Sequence, residues 1–289
     1  MVTTIDNVYS ADVSLNAHGA DWCRWVIENL ERACDPLDMY DRMVEKVWGR
    51  TQAIAALDAG MVLTGRNVDW KPSAPVLPQT DLVRITDRDI SILARSEAPR
   101  AALFDGLLTQ IECQELISFA FDRGLKQSGV VDDETGDNIE HQARTSTSVS
   151  LKRGETPLIA ALEERLSLLT GWPADRAEGL QVLRYQPGQQ YKPHFDAFRP
   201  DQAGGRRHLE RGGQRVATTV IYLSTPIGGG ETAFPTSSLK FKPRSGGAVF
   251  FHDLDPLGRI EPSSLHAGNP VTEGEKIVAT YWQRESVFI

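Results

Sequence analysis

Apolar residues recur at helical spacing from Asp21 to Leu63, near the start of the chain. They are Trp22, Trp25, Val26, Leu30, Ala33, Tyr40, Met43, Val44, Val47, Trp48, Ile54 and Leu57. Such a spacing predicts amphipathic helices, so we expect two or three helices in residues 1–71. Three prolines then fall within the segment WKPSAPVLPQT. Because proline cannot continue a helix, residues 72–83 are predicted to be an extended, proline-rich linker.

Two further helices are predicted from their capping residues. Thr109 and Glu112 have the spacing of a capping box and precede an apolar stripe. Thr156 can cap the second helix and Gly171 can end it. The acidic segment VVDDETGDNIEH between the two helices has no periodicity, and we expect it to be a mobile loop.

After Gly179 the pattern changes to short β-type runs separated by proline and glycine. The runs are GLQVLRY, YKPHFDAF, RVATTVIYLS, LKFKP, GGAVFFHDL and KIVATYWQRES. They predict a β-sandwich or β-barrel with helices on one side, and hence an α+β fold class.

Composition narrows the class of protein. The 289 residues can form one large domain with a smaller companion, and 40% hydrophobic with 24% charged residues is typical of soluble proteins. Neither a membrane-spanning run nor a secretory signal is evident, so we expect a cytoplasmic protein that does not bind membranes. A net charge of -8 disfavours nucleic acid as a partner. The three cysteines lack the spacing of a disulfide framework or a zinc knuckle.

One histidine and one aspartate stand two residues apart in YKPHFDAF. Side chains alternate across a strand, so His194 and Asp196 are predicted to point the same way. With His266 they give two imidazoles and one carboxylate, a donor set that suits ferrous iron with open coordination positions. Zinc is the competing metal. The remaining histidines are expected to be solvated or packed in the core: His18, His141, His208 and His252.

A lysine opens the last predicted strand. Lys276 shares one face of that strand with Val278, Thr280 and Trp282. Directed into an apolar interior, it needs a carboxylate partner there. At the mouth of the strand it could instead keep its ammonium group in water, and the residues alone leave both interpretations open.

Five collinear blocks resemble the prolyl 4-hydroxylase-like branch of the iron(II)- and 2-oxoglutarate-dependent dioxygenases. The blocks are LQVLRYQPGQQYKPHFDAF, RVATTVIYLS, GGGETAFP, LKFKPRSGGAVFF and SLHAGNPVTEGEKIVATYWQRE. A weaker likeness upstream extends the expected dioxygenase domain to residues 84–289. The resemblance implies a double-stranded β-helix, or jelly roll, with flanking helices, beside the small N-terminal helical region.

The same resemblance implies the role of nine residues. Fe(II) would be held by His194, Asp196 and His266, and 2-oxoglutarate would chelate that iron. The distal carboxylate of 2-oxoglutarate would meet Lys276, Tyr191 and Thr232. Three residues match positions on the substrate side of the iron: Tyr185, Arg215 and Trp282.

The implied reaction is hydroxylation of an unactivated aliphatic carbon. One atom of O2 would decarboxylate 2-oxoglutarate to succinate, and the other would become the new hydroxyl group, with ascorbate as a reductant. Because Asp196 stands where related halogenases carry a small residue, hydroxylation is expected rather than halogenation.

We expect the substrate to be a free imino or amino acid such as proline or pipecolate. Loop arginines, together with Arg215, can supply a guanidinium group for its carboxylate, and an acidic cluster can face its amine. These loop residues are Arg206, Arg207 and Arg211, and Asp132, Asp133, Glu134 and Asp137. The alternatives are a prolyl residue in a peptide or protein, and a non-catalytic jelly-roll protein that binds or senses a metal. The role of the N-terminal helices is left open between bracing the barrel, forming a contact in a homo-oligomer and recruiting a partner protein.

Overall fold

The computed structural model describes residues 15–289 except 47, 49, 67, 69, 71–73, 133 and 141. Two of the residues discussed above, Asp133 and His141, therefore lie outside the described part. The chain divides into two compact units, Met1–Pro72 and Ser73–Ile289. Within the described residues, none of the helices combines the length and the hydropathy needed to cross a membrane.

Helices make up the described part of the first unit, as the periodicity predicted. They are α1 (Ala20–Glu31), α2 (Pro36–Lys46) and α3 (Arg50–Thr64). Val26, Met43 and Leu57, one from each helix, are fully buried. A Cβ on Gly60 would lie 2.7 Å from the Leu30 side chain, so a glycine is needed for α3 to approach α1 this closely.

The second unit contains three helices and a larger number of short strands. The helices are α4 (Gln110–Asp122), α5 (Pro157–Thr170) and α6 (Ala203–Leu209). The strands are β1 (Leu82–Arg84), β2 (Asp89–Glu97), β3 (Arg100–Asp105), β4 (Lys126–Gln127), β5 (Gly129–Val131), β6 (Asn138–Glu140), β7 (Thr147–Ser150), β8 (Gln181–Tyr185), β9 (Tyr191–His194), β10 (Arg215–Tyr222), β11 (Gly228–Gly229), β12 (Thr232–Phe234), β13 (Leu239–Phe241), β14 (Ala248–His252), β15 (His266–Gly268), β16 (Val271–Glu273) and β17 (Lys276–Arg284).

Two antiparallel sheets form the jelly roll. The large sheet has the order β1-β2-β3-β14-β10-β17-β8-β7-β4, and the small sheet has the order β13-β12-β15-β9. Phe234 and Phe241 from the small sheet pack against Tyr222, Val249 and Phe251 from the large one. The predicted jelly roll is confirmed, and each of the six β-type runs contains a strand.

The helices α4 and α5 cover the outer face of the large sheet. Leu116 and Leu162 from the helices belong to the same buried cluster as Ile221, Phe250 and Ala279 from the strands. Both caps form as predicted: the Thr109 hydroxyl accepts from the Glu112 amide, and the Thr156 hydroxyl accepts from the Ile159 amide. Alternate residues of β17 therefore face the helices, and the others face the interior of the jelly roll.

The segment expected to be a linker is part of the second unit. The Val76 amide donates to the Thr170 carbonyl at 2.8 Å, and Leu82–Arg84 pairs with β2 at the edge of the large sheet. The second unit thus begins at Ser73 rather than at residue 84. Prolines are compatible with this extended backbone because it donates few hydrogen bonds to a sheet.

The acidic segment expected to be a mobile loop forms the hairpin β5–β6. Asp132 Oδ1 accepts from the Thr135 amide at 2.7 Å and from the Glu134 amide at 3.1 Å, and Gly136 has a φ of 75°. An aspartate that accepts from its own turn, followed by a left-handed glycine, reverses the chain. The segment RPDQAGGRRHLERGGQ likewise contains α6 and is not wholly a loop.

Candidate active site

Strand pairing brings the two candidate histidine ligands together. His194 ends β9 and His266 begins β15, and the two residues lie opposite each other in the antiparallel pair. Asp196 lies in a bend two residues after His194, whereas the alternation pattern placed it within the strand. The bend nevertheless turns its carboxylate towards the two imidazoles.

The three side chains converge without a hydrogen bond between them, and the two imidazole rings lie with 4.2 Å between centroids. Nε2 of His194 and Nε2 of His266 each lie 3.6 Å from an oxygen of Asp196, too far for a hydrogen bond. Each Nδ1 lies 2.9 Å from a backbone carbonyl, that of Lys192 or Ser264. This contact fixes the proton on Nδ1 and leaves the Nε2 lone pair free for a metal.

The protonation of the cluster fits a divalent metal. Burial by itself would raise the pKa of Asp196, but the imidazoles of His266 and His194 outweigh it and hold that pKa well below its usual range. Burial lowers the pKa of His266 to about 4. At neutral pH the cluster therefore offers a carboxylate and a neutral His266, as metal coordination requires. The ligand atoms lie within 4.8 Å of one another, and the described residues contain no second group of this kind.

A buried threonine links Asp196 to a second aspartate. Thr218 Oγ1 lies 2.9 Å from Asp196 Oδ2 and 2.8 Å from Asp253 Oδ2. Burial and the charge of Asp196 raise the pKa of Asp253 well above its ordinary value. A neutral Asp253 can donate to Thr218, which in turn donates to Asp196, so the pair restrains the orientation of the candidate ligand.

Lys276 projects into an inner cavity beside the cluster. The side chain is 3% exposed, and burial lowers its pKa to about 8, opposed only by Glu231. No side chain in the described part forms an ion pair or a hydrogen bond with Nζ, which lies 5.4 Å from the ring centroid of Tyr185. The ammonium group is thus not in bulk water. A buried cation without a counter-ion suits an acidic ligand.

Tyr185 lies opposite Lys276 in the pairing of β8 with β17 and lines this inner cavity. It does not line the outer groove described below, so its position differs from the substrate side expected from the resemblance.

Tyr191 and Thr232 line the same inner cavity as Lys276. The ring of Tyr191 stacks on His194 with 3.5 Å between centroids, and burial raises its pKa to about 12, so the phenol keeps its proton. The Tyr222 hydroxyl donates to Thr232 Oγ1 at 2.9 Å. Because Thr232 accepts this bond, its own proton is available to an acceptor in the cavity.

A wide outer groove of about 660 Å³ runs past the candidate ligands. Trp282 lines both the groove and the inner cavity. Arg215 also lines the groove, but its guanidinium binds both oxygens of Glu178, at 2.7 and 3.0 Å, and lies 3.9 Å from the ring centroid of Trp282. Arg284 donates to the same Glu178 at 2.8 Å. Arg215 is therefore held in place by an ion pair within the protein, and it shares the single charge of Glu178 with Arg284.

The loop charges expected to bind a free amino acid are engaged within the protein. Arg207 pairs with Asp137 at 2.9 Å, and Asp132 accepts from its own turn. Arg206 donates to the carbonyls of Pro200 and Asp201, and Arg211 donates to the carbonyl of Ile289. The contacts of Arg207 join the β5–β6 hairpin to α6.

Four residues of the site were not predicted: Thr218, Tyr222, Asp253 and Glu178. The sequence could have pointed to Thr218 and Asp253, because Thr218 interrupts an otherwise apolar strand run and Asp253 ends one. A polar residue inside such a run is buried and needs a partner. Which partner it finds depends on the strand order.

Comparisons with known proteins agree with this fold and site. The family model described as the 2OG-Fe(II) oxygenase superfamily matches residues 180–284. Probable prolyl 4-hydroxylase 4 of Arabidopsis thaliana is 36% identical over 208 residues, which cover 65% of this chain and 68% of that protein. Probable prolyl 4-hydroxylase 3 of the same plant is 39% identical over 203 residues, covering 64% and 69%.

A solved structure is also similar. The viral collagen prolyl hydroxylase of Paramecium Bursaria Chlorella virus-1, in its complex with 2OG, aligns with a TM-score of 0.51 and 34% sequence identity. The alignment covers 63% of this chain and 94% of the viral protein.

A jelly roll of this kind with such relatives is an oxygenase, and the non-catalytic alternative is set aside. The chain belongs to the prolyl 4-hydroxylase type of the 2OG-Fe(II) oxygenase superfamily. It is a 2-oxoglutarate-dependent dioxygenase whose cofactors are Fe(II), 2-oxoglutarate and O2.

Proposed function

We propose that the protein hydroxylates prolyl residues within a peptide or protein segment, in place of the free imino acid expected from the sequence. The observation that carries this proposal is the outer groove of about 660 Å³ beside the His194, Asp196 and His266 cluster. Clefts of that size enclose ligands much larger than one imino acid. The relatives named above are prolyl hydroxylases, which supports the same substrate class.

The charges around the groove also favour a peptide. A free amino acid brings a carboxylate and an ammonium group, and each needs a partner when it is removed from water. Among the described residues that line the groove, the carboxylates are Glu178, which is paired with Arg215, and Asp196, which is assigned to iron, so neither is free for the ammonium group. A residue inside a peptide has neither terminal charge, so it does not need these partners.

In this proposal, the residues of the inner cavity bind the cofactors and those of the outer groove bind the substrate. We assign His194, Asp196 and His266 to Fe(II), and Lys276, Tyr191 and Thr232 to the distal carboxylate of 2-oxoglutarate. When bound, these cofactors and O2 supply the oxidation that converts a C–H bond to C–OH, with succinate and CO2 as the other products. Trp282 lies where the two cavities meet and can position the target residue over the cluster.

A competition between substrates tests the proposal. The enzyme would be given free proline, free pipecolate or a proline-rich peptide, each with Fe(II) and 2-oxoglutarate, and hydroxylated product would be measured by mass spectrometry. We expect the peptide to gain one oxygen atom and the free imino acids to remain unchanged. Hydroxylation of free proline without hydroxylation of any peptide would overturn the proposal.

Two variants serve as controls for this assay. Asp196→Ala removes a proposed iron ligand and should abolish product from every substrate. Lys126→Gln changes an exposed lysine on β4 that lines neither cavity, and it should behave as the unmodified enzyme.

A further inference from the structure

The outer groove is cationic although the chain as a whole is anionic. The chain carries 31 Lys and Arg residues against 39 Asp and Glu residues. Among the described residues that line the groove this ratio is reversed, with two carboxylates, Glu178 and Asp196, against six cationic side chains: Arg144, Lys192, Arg199, Arg211, Arg215 and Arg284. The positive charge is therefore concentrated in the groove and does not follow from the overall composition.

Internal pairing neutralises only part of this charge. Glu178 is shared between Arg215 and Arg284, and Asp196 is assigned to iron. Within the described part of the chain, Lys192 and Arg199 form neither an ion pair nor a side-chain hydrogen bond, and both are exposed. These two cations line the groove but not the inner cavity, so 2-oxoglutarate bound beside Lys276 cannot serve as their partner.

Arg144 adds a buried cation at the junction of the two cavities. Its side chain is 8% exposed, and its guanidinium donates to two neutral groups, the Gly129 carbonyl at 3.2 Å and the Gln181 side chain at 2.9 Å. Nε has no partner, and the guanidinium carbon lies 4.8 Å from the ring centroid of Tyr191. Among the described side chains, none supplies a carboxylate to this guanidinium, and a buried guanidinium in that state favours the approach of an anion.

The cations lie close to the proposed position of the target residue. Lys192 precedes His194 by two residues on β9, which corresponds to about 7 Å along an extended strand. Arg199 follows Asp196 by three residues. A peptide that places a proline over the iron cluster therefore brings its neighbouring side chains within reach of these ammonium and guanidinium groups.

We propose that the groove selects acidic peptides, in which Asp or Glu residues within about two or three positions of the target proline meet Lys192 and Arg199. This inference rests on the proposed peptide hydroxylation. It goes further by naming the charge of the substrate and the side chains that recognise it.

Three peptides with one proline-rich frame test the inference, with Glu, Gln or Lys at the positions that flank the proline. We expect KM to rise in the order Glu, Gln, Lys, with little change in kcat. Each exposed pair contributes about 1.4- to 5-fold, so two pairs predict about a two- to twenty-five-fold difference between the Glu and Gln peptides. The difference should shrink as salt is raised from 0.05 M to about 0.5 M.

A double variant links the preference to the named residues. Lys192→Gln combined with Arg199→Gln should give the Glu and Gln peptides the same KM, whereas Lys126→Gln should keep the original ratio. Equal KM values for the Glu and Gln peptides in the unmodified enzyme, or a ratio that survives the double variant, would overturn the inference. If the Gln peptide is hydroxylated with the same KM as the Glu peptide, the inference about acidic peptides is wrong but the proposed peptide hydroxylation stands. If no peptide is hydroxylated, the proposed function itself fails.

Discussion

Replacing Lys276 by methionine should stabilise the protein and weaken its binding of 2-oxoglutarate. The ammonium group is 3% exposed, forms no ion pair with a described side chain, and is only partly stabilised by the more distant charge of Glu231, so the folded protein bears the cost of burying a charge. Methionine has a similar length, carries no charge and can fill the same space. It also removes the proposed partner of the distal carboxylate.

The cost of this burial follows from the pKa. Burial lowers the pKa of Lys276 from 10.5 to about 8, which at about 1.36 kcal/mol for each pH unit corresponds to about 3 kcal/mol. We therefore expect Lys276→Met to raise the free energy of unfolding at pH 7 by up to about 3 kcal/mol without cosubstrate. Loss of one partner of a buried ion pair costs about 3–5 kcal/mol, so the affinity for 2-oxoglutarate should fall more than about 100-fold.

The pH dependence gives a second check with a defined sign. The folded pKa lies below the unfolded one, so between about pH 8 and pH 10.5 the unfolded chain binds more protons at Lys276. The free energy of unfolding of the unmodified protein should therefore increase as pH rises through that window. At pH values below the window, the buried charge of Lys276 lowers the free energy of unfolding by a constant amount. Saturating 2-oxoglutarate should remove this gain, because a bound carboxylate raises the pKa of the lysine.

Urea unfolding at pH 7 and pH 9.5, with and without 2-oxoglutarate, measures both effects. Anaerobic calorimetry gives the affinity for 2-oxoglutarate. Lys126→Met is the matched control, since Lys126 is exposed and lies outside both cavities. If Lys276→Met binds 2-oxoglutarate as tightly as the unmodified enzyme, or is less stable without it, the reasoning about the buried cation is wrong.

Three further substitutions test other parts of the structure. Thr218→Val should weaken Fe(II) binding about tenfold in an anaerobic titration while Thr218→Ser keeps it, because only serine can still donate to Asp196; equal affinities would contradict this. Burial raises the pKa of Glu163 from 4.5 to about 6, so its ionisation lowers the free energy of unfolding as pH rises from about 4.5 to about 6, and this loss persists at higher pH. Glu163→Gln should therefore raise the free energy of unfolding by about 1 kcal/mol at pH 8, after allowing for solvent screening, and leave it unchanged at pH 4. Glu178→Gln should lower the free energy of unfolding by about 3 kcal/mol, seen as a lower Tm, because Arg215 and Arg284 both lose the carboxylate with which they form ion pairs.

Local rules were sufficient where a short stretch of chain decides the structure. The capping box at Thr109 and the left-handed glycine at Gly171 need only neighbouring residues, and both were predicted. The β5–β6 hairpin was missed because its strands are only three residues long, too short to show a periodicity, and its turn depends on hydrogen bonds of Asp132. The strand run that contains His194 was predicted, but not that β9 ends before Asp196.

The sequence by itself determined the donor types, the β-rich second unit and, through the resemblance, the oxygenase class. Only the tertiary structure decided which charges are paired: that Arg215 and Arg284 share Glu178, that Arg207 pairs with Asp137, and that Lys276 forms no ion pair with a described side chain. The physical reason is that alternation along a strand fixes the face of a side chain, whereas its partner comes from residues far away in the chain. Charge pairing therefore depends on which strands lie next to one another in the jelly roll. The proposed choice of substrate depends in turn on that pairing.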